Sequence, residues 1–398
     1  MTAIYLDNNA TTEPADAVIE AVRAGLTTYW HNPSSVHRPG QAARQQVELA
    51  RQDVARLIGV KARELTFTSG GTEAIDLAVR GILGAAARAG NDGASGRGPP
   101  LIVTSRVEHA AVRDLVEAME KRGEARVRWL ALEKAPGRRG VIDASLLAEQ
   151  VTRDAALVCV QWANNETGAI QPVEAVRAAC SAAGVPLLID AVQWVGKMPV
   201  SAPGCDALVL SPHKFHGVKG VGVLWTRPGL RMRPVLQGSQ ELGRRGGTEN
   251  VPGILGAGAA AREAMEWLAH PSRRDGVGSL RDWFEGAVLG AVPDARVNGP
   301  SGGRLWNTTN IAFPRLEAEA LLLLLSERGV CASAGAACSS GSLEPSPVLL
   351  AMGVPDAEAH GSVRFSFSRT TTRGEVEDAA RTLVECVQIL SRSMPQGG

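Results

Sequence analysis

Short apolar runs of β type alternate with alanine-rich helical stretches through the first two thirds of the chain. Such alternation is typical of βαβ units, in which the strands of one sheet run parallel. The sequence therefore predicts an α/β fold built on a mainly parallel sheet. The predicted strands are Leu65 to Thr68, Leu101 to Ser105, Ala156 to Gln161, Pro186 to Asp190 and Ala207 to Leu210.

Polar clusters follow directly after several of these runs, as in LTFTSGGTE, LIVTSRVEHA, LVCVQWANNETG, LLIDAVQ and LVLSPHK. Ligands of open α/β sheets bind outside the carboxyl ends of the strands. We therefore expect these clusters to converge on one crevice.

The chain is long enough for two domains, with 398 residues of which 44% are hydrophobic. After about residue 262 the pattern changes to long amphipathic helices with few strands, among them NTTNIAF and SVRFSFS. This change predicts a large domain of residues 16–261 and a smaller α+β domain of residues 1–15 and 262–398. The longest apolar run, Ala320 to Leu325, is too short to span a bilayer and predicts a buried helix.

Charge and cysteine usage exclude several classes of function. The formal net charge is +1 with Lys and Arg spread along the chain, which argues against nucleic acid or a membrane surface as partner. The start has no secretory signal pattern, so we expect a soluble, cytoplasmic protein.

The six cysteines include no CxxC pair and predict neither a disulfide framework nor a zinc site. Most of them are expected in the core.

The segment from Ser69 to Glu73, SGGTE, lies between a predicted strand and a helical pattern. Backbone N–H groups at a helix N-terminus bind phosphate when small residues allow close approach, and Gly71 and Thr72 would supply them. A plain Gly-Gly turn with a capping Thr is the alternative.

Two further strand ends carry chemically informative residues. Asp190, with Gln193 three residues later, could pair with a protonated pyridine nitrogen, although an Asp at such a turn is more often a helix cap. Lys214 could form a Schiff base with an aldehyde cofactor, although surface lysines are commoner. The candidate phosphate-binding segment, Asp190 and Lys214 occur along the chain in the order that fold-type I pyridoxal enzymes use.

A series of ordered motifs makes this likeness specific. The chain resembles the cysteine desulfurases of the NifS/IscS group, within class V of the aspartate-aminotransferase-like, fold-type I pyridoxal-phosphate enzymes. The residues in its motifs are most similar to those of the nitrogen-fixation branch. The motifs lie between residues 5 and 377 and read YLDNNATT, NPSSVH, FTSGGTE, VEHAAV, WANNETG, DAVQWVGK, SPHK, KGVGVLW, RRGGTEN, ACSSGSLEPS, AHGSVRFSFSR and TTRGEVE.

The resemblance implies a site for pyridoxal 5′-phosphate. It implies that Lys214 is the Schiff-base lysine, that His109 stacks on the ring and that Asp190 pairs with the ring nitrogen. His109 and Asn165 alone would suggest core or turn roles. The remaining implied contacts are Gln193 and Asn165 near the phenolic oxygen, and Gly71, Thr72, Ser211 and His213 at the phosphate.

Two further residues take roles from the resemblance. Thr248, in RRGGTEN, matches a residue that the family donates to the neighbouring subunit's phosphate site, which implies a homodimer. Arg364, in SVRFS, matches the arginine that grips the substrate carboxylate, and a planar guanidinium suits that ligand. From the residues alone, Arg364 would be assigned to an ordinary salt bridge.

Cys338 lies in a run of small residues, AGAACSSGS, which predicts a loop at about residues 333–342 with much backbone freedom. The resemblance implies that Cys338 is the catalytic cysteine, which benefits from such mobility.

The sequence departs from the family pattern at two positions. Pro212 precedes His213 and removes a backbone donor near the phosphate. An extra cysteine, Cys331, lies seven residues before Cys338 and is expected in the core, with a role as a resolving thiol as the alternative.

The implied activity is the removal of sulfur from L-cysteine, with L-alanine as product and a persulfide on Cys338 that passes to an acceptor protein. The acceptor would be an iron–sulfur scaffold or another sulfur-accepting protein. No metal site of its own is predicted, so an iron–sulfur cluster would contact Cys338 only transiently. A selenocysteine lyase or cysteine β-lyase, an aminotransferase and a non-catalytic sulfur carrier are the alternatives.

Overall fold

The computed structural model describes residues 3–86, 98–200, 204–335 and 344–393. Its strands are β1 (Ile4–Tyr5), β2 (Leu65–Thr68), β3 (Leu101–Thr104), β4 (Arg126–Trp129), β5 (Ala155–Gln161), β6 (Leu187–Asp190), β7 (Ala207–Leu210), β8 (Gly222–Thr226), β9 (Arg296–Val297), β10 (Thr308–Ala312), β11 (Val330–Cys331) and β12 (Ser362–Ser366). Its α-helices are α1 (Asp16–Thr27), α2 (Arg38–Leu57), α3 (Gly71–Ala86), α4 (Ala110–Lys121), α5 (Leu147–Gln150), α6 (Val173–Ala183), α7 (Gln240–Gly243), α8 (Val251–Leu268), α9 (Pro271–Ala291), α10 (Ala318–Glu327), α11 (Pro347–Ala351), α12 (Asp356–His360) and α13 (Arg373–Ser393).

A seven-stranded sheet has the strand order β2-β8-β7-β6-β5-β3-β4. Strands β7, β6, β5, β3 and β4 pair in parallel, whereas β8 is antiparallel to both of its neighbours. All five strands predicted from the sequence are present, each within one residue of its predicted bounds. The predicted α/β class with a mainly parallel sheet is therefore confirmed.

Helices cover both faces of this sheet, which explains why its central strands are apolar throughout. Successive residues of a strand point to opposite faces. In β6, Leu188 packs with residues of α3 and α4. Its neighbours Leu187 and Ile189 pack with residues of α2, α6 and α8 on the other side. This two-sided burial holds the strand ends rigidly, so that side chains placed there keep a fixed geometry.

The C-terminal part has its own sheet and core. Strands β12, β10 and β9 form an antiparallel sheet, and β1 pairs in parallel with β11. Phe284 of α9 packs against Phe365 and Phe367, with ring centroids 5.0 and 5.7 Å away. The N-terminal residue Leu6 belongs to the same apolar cluster.

The predicted division of the chain at residues 261 and 262 falls inside a helix. Helix α8 runs from Val251 to Leu268, and its buried residues as far as Ala264 pack in the core of the large sheet. The division into two domains stays a prediction.

The prediction of a buried helix at Ala320 to Leu325 is wrong in one respect. The run is helical within α10, and Leu321 and Leu325 are fully buried, but Leu323 is 64% exposed. Leu321 and Leu325 pack in the C-terminal apolar cluster, so one face of α10 meets the core while the face with Leu323 does not. Among the described helices, none combines the length and the apolarity that crossing a membrane requires.

Candidate active site

A cavity of about 400 Å³ lies at the carboxyl ends of the parallel strands. Strand β6 ends in the cavity with Asp190, and the turn after β7 contributes Lys214. Ten of the residues singled out in the sequence line it: Gly71, Thr72, His109, Asn165, Asp190, Gln193, Ser211, His213, Lys214 and Arg364. The strand ends thus converge on one crevice.

Lys214 lies in a single turn of 3₁₀ helix, Pro212–Lys214, directly after β7. Its Nζ donates hydrogen bonds to the backbone carbonyls of Asn9 and Ala10, at 2.8 and 2.7 Å. These two carbonyls fix the amine at the wall of the cavity. Pro212 takes the first position of the turn, where its missing N–H leaves no helical hydrogen bond unmade.

Asp190 is almost completely buried, and its Oδ1 accepts a hydrogen bond of 2.9 Å from the backbone N–H of Val192. Burial raises the pKa of Asp190, while the Val192 N–H and the charges of His109 and Lys214 oppose that rise. No α-helix begins at this turn, so the helix-cap alternative for Asp190 does not apply. A buried carboxylate of this kind gains from a cationic partner in the cavity.

His109 is the N-cap of helix α4, where its Nδ1 accepts a hydrogen bond of 3.1 Å from the backbone N–H of Ala111. Burial lowers the pKa of His109, with the nearby charge of Asp190 opposing. A neutral imidazole that accepts at Nδ1 carries its proton on Nε2. His109 therefore combines a structural role in the helix with a ring that lines the cavity.

Gln193 is held by neighbours on both sides of its amide. Its Nε2 donates to the backbone carbonyl of Asn9 at 3.0 Å, and its Oε1 accepts from Nζ of Lys197 at 2.5 Å.

The side-chain amide of Asn165 is not fully hydrogen-bonded, because its Oδ1 is buried without a hydrogen-bond partner among the described residues. Its backbone carbonyl accepts from Nδ2 of Asn9 and from Nη1 of Arg364.

Helix α3 begins at Gly71, at the edge of the cavity. The first backbone N–H groups of a helix have no partner within the helix and attract anions. A Cβ atom at Gly71 would lie 3.1 Å from Cγ2 of Val192, so the small residue leaves room that a side chain would fill. His213 lines the same cavity, and its pKa is lowered to about 3 by burial and by the charges of Lys214, Lys219 and Lys197.

Arg364, in β12, is almost completely buried at the cavity wall. Its Nη2 pairs with Oδ1 of Asp7 at 2.6 Å, and its Nη1 donates to the carbonyls of Asn165 and Gly335 at 3.1 and 3.0 Å. Its Nε has no hydrogen-bond partner among the described residues. The guanidinium of Arg364 is thus packed into the cavity wall, and its Nε is the one nitrogen without a hydrogen-bond partner among the described residues.

The family model described as aminotransferase class-V matches residues 4–378. That match covers most of the chain. The chain belongs to the aminotransferase class-V family. It is 42% identical over 398 residues to "Cysteine desulfurase 2" of Trichormus variabilis, across 99% of this chain and 96% of that protein. It is 41% identical over 399 residues to "Cysteine desulfurase NifS" of Azotobacter vinelandii, across 99% and 95%.

A solved structure called a NifS-like protein resembles this class-V chain with a TM-score of 0.86 and 33% identity, across 98% of this chain and 100% of that one. The family resemblance drawn from the motifs is therefore confirmed, together with the fold class.

Of the described residues predicted for the site of this class-V protein, one lies outside the cavity. Thr248 lines a separate pocket, together with Arg245 and Glu249. Cys338, with most of the segment predicted at residues 333–342, lies outside the described residues. Of the other cysteines, Cys331 is half-buried in β11 rather than in the core where it was expected, and Cys159, Cys180, Cys205 and Cys386 are buried.

No group of side chains able to hold a metal ion occurs among residues 3–86, 98–200, 204–335 and 344–393.

Several residues of the site were not assigned a role from the sequence. Asn9 contacts Lys214 and Gln193 and is contacted by Lys197, and Glu108 and Glu166 line the cavity beside it. Asn9 and Lys197 occur in the motifs YLDNNATT and DAVQWVGK, which were a signal for both. Their role remained hidden because it depends on contacts between residues that are 188 positions apart.

Proposed function

We propose that this class-V protein is a cysteine desulfurase that uses pyridoxal 5′-phosphate to move sulfur from L-cysteine to Cys338. The observation that carries the proposal is the convergence of Lys214, Asp190 and His109 on one cavity in a chain whose relatives are named cysteine desulfurases. The products are L-alanine and a persulfide. The persulfide then passes to an acceptor protein, such as an iron–sulfur scaffold.

The residues of the cavity fit this cofactor. Gly71 and Thr72 would hold its phosphate on the first backbone N–H groups of α3, with Ser211 and His213 beside them. The buried Asp190 would gain a cationic partner in the ring nitrogen. The unpartnered amide oxygen of Asn165 marks a polar position in the cavity that a ligand would satisfy.

When bound, pyridoxal phosphate supplies a ring that accepts electrons from the carbon next to the substrate amine. Lys214 would attach the cofactor and, once displaced by the substrate amine, take the proton from that carbon. Its two backbone acceptors, the carbonyls of Asn9 and Ala10, would hold the freed amine at the wall of the cavity. His109, neutral and protonated on Nε2, would stack on the ring and pass protons near it.

Arg364 would bind the substrate carboxylate at the cavity wall, where its unpartnered Nε offers a donor. The thiolate of Cys338 would then attack the sulfur of the bound cysteine. A sulfur–sulfur bond forms, the carbon–sulfur bond breaks, and its electron pair remains on the substrate carbon, which takes up a proton. Cysteine and the thiol become alanine and the persulfide, so that atoms and electrons balance without a further reactant.

We propose further that the protein is a homodimer in which Thr248 completes the neighbouring subunit's phosphate site. In support, Thr248 does not line the cavity that holds the other phosphate residues, and nearby Leu242 is 72% exposed. A mixture of Lys214→Ala and Thr248→Val subunits tests this. If Thr248 acts across the interface, mixed dimers contain one intact site and recover activity above either variant alone. Recovery no greater than the sum of the two variants would contradict the shared site.

The experiment that tests the activity compares sulfide and alanine release from L-cysteine, with dithiothreitol present, in the cofactor-loaded protein and its Cys338→Ala variant. We expect equal amounts of sulfide and alanine, both abolished in C338A although the absorbance of the bound cofactor persists. Cys331→Ala is the matched control, because it removes a thiol seven residues away, and it should retain activity. Unchanged release in C338A would favour a lyase, and no release from any form would refute the proposed activity.

A further inference from the structure

Lys197 is a buried lysine beside the cavity that the proposed mechanism does not use. Only 4% of its surface is exposed. Its Nζ donates to Oδ1 of Asn9 at 2.7 Å and to Oε1 of Gln193 at 2.5 Å. Both acceptors are neutral amide oxygens. Burial, together with the charges of Lys214 and Arg364, lowers the pKa of Lys197 well below its ordinary value.

The orientation of the Asn9 amide follows from its partners. Its Nδ2 donates to the backbone carbonyl of Asn165 at 3.0 Å and to Oγ1 of Thr308 at 2.9 Å. A carbonyl can only accept, so the nitrogen of Asn9 must face it and the oxygen must face Lys197. The Asn9 side chain is therefore a fixed support for the Lys197 amine.

The orientation of the Gln193 amide follows in the same way. Its Nε2 faces the backbone carbonyl of Asn9, and its Oε1 faces the donor Nζ of Lys197. The oxygen is thus directed to Lys197, whereas Nε2 has a second N–H beyond the one given to Asn9. Since Gln193 lines the cavity, that second N–H is the polar group it can offer to a bound molecule.

We propose that Lys197 is a positioning residue that holds Gln193 with an amide N–H, and not its carbonyl oxygen, available to the cavity. The cavity then selects a bound molecule that presents an acceptor oxygen at this point and stabilises that oxygen as an anion. This inference rests on the proposed function, in which the oxygen is the phenolic oxygen of pyridoxal phosphate. A lysine that served packing alone would leave the ionisation of the bound cofactor unchanged.

The test is a pH titration of the absorbance of the cofactor-loaded protein and its Lys197→Met variant. Hydrogen bonding to the charged form lowers a pKa, so loss of the oriented N–H should raise the pH at which the absorbance changes, by about one unit. Gln193→Leu should raise it as well. Because both substitutions remove the same hydrogen bond, the double variant should shift no further than Q193L alone.

Two controls separate orientation from charge and from folding. Lys219→Met removes a cation from an exposed site near His213, and it should leave the transition of the cofactor unshifted. Lys197→Gln keeps an N–H donor and should shift the transition less than K197M. If K197M does not fold, Lys197→Gln takes its place in the test. An unshifted transition in both Lys197 variants, or full additivity with Q193L, overturns the inference. Failure of the unsubstituted protein to take up the cofactor would instead overturn the proposed function on which it rests.

Discussion

Arg364 and Asp7 form an ion pair at the wall of the cavity although they are 357 positions apart in the sequence. Nη2 of the arginine lies 2.6 Å from Oδ1 of the aspartate, and the arginine side chain is only 2% exposed. A buried guanidinium loses much hydration, so its counter-ion matters to the stability of the fold. The pair also joins the N-terminal segment to β12.

Removing the counter-ion should therefore destabilise the protein. We expect Asp7→Asn to lower the free energy of unfolding by about 3 kcal/mol, because an unpaired charge would remain buried. Asp294→Asn is the matched control, since its pair with Arg315 is 64% and 77% exposed at the two side chains. That variant should differ from the wild type by at most about 0.5 kcal/mol. Urea unfolding measures both, and equal effects would refute the special role of the buried pair.

Arg364 should determine the affinity for the substrate carboxylate. In Arg364→Lys the positive charge remains, but the planar guanidinium and its parallel donors are lost. We expect KM for L-cysteine to rise by roughly 10- to 100-fold, with a smaller change in kcat. Steady-state kinetics on cofactor-loaded protein measure this, and the cofactor absorbance serves as the control for an intact site. An unchanged KM would remove Arg364 from substrate binding.

Lys214 should carry the cofactor covalently. Borohydride reduction of the loaded protein should fix the cofactor on Lys214, which peptide mass spectrometry would detect as an added phosphopyridoxyl group. The label should disappear in Lys214→Ala. It should persist in Lys219→Ala, which alters an exposed lysine only five positions away. A label on another lysine would assign the attachment elsewhere.

Glu108 should make the stability of the fold depend on pH. It is fully buried, and neither carboxyl oxygen has a hydrogen-bond partner among the described residues. Burial raises the pKa of Glu108 well above 4.5, and the charge of Asp190 adds to the rise. The folded state therefore favours the neutral acid, and the stability that this group contributes is lost as the pH rises from its unfolded pKa towards its folded one.

Glu108→Gln removes this titration while keeping the size of the side chain. We compare the free energies of unfolding as a difference, variant minus wild type. This difference should increase with pH by up to about 1.4 kcal/mol per pH unit between about pH 5 and about pH 8, because only the wild type loses the contribution of Glu108. Urea unfolding at both pH values measures the change, and effects of packing cancel because they are present at each pH. A difference that is the same at both would contradict a neutral Glu108.

The sequence alone determined the parts of the structure that depend on local pattern. Five strands of the large sheet were predicted within one residue, because a strand buried on both faces is a short apolar run bounded by polar residues. The strand-end residues Asp190 and Lys214 followed from that prediction, since the carboxyl ends of parallel strands share one edge. The motif series determined the family, and with it the expected role of each residue.

The tertiary structure decided what local pattern does not encode. The antiparallel direction of β8 was not predicted, because an apolar run reads the same in either direction of the strand. The exposed Leu323 was not predicted, because the packing of neighbouring elements and not the run itself selects the buried face of α10. The contacts that Asn9 and Lys197 make with Gln193 arise from segments distant in sequence. Their geometry exists only once the N-terminal segment packs against the turn after β6.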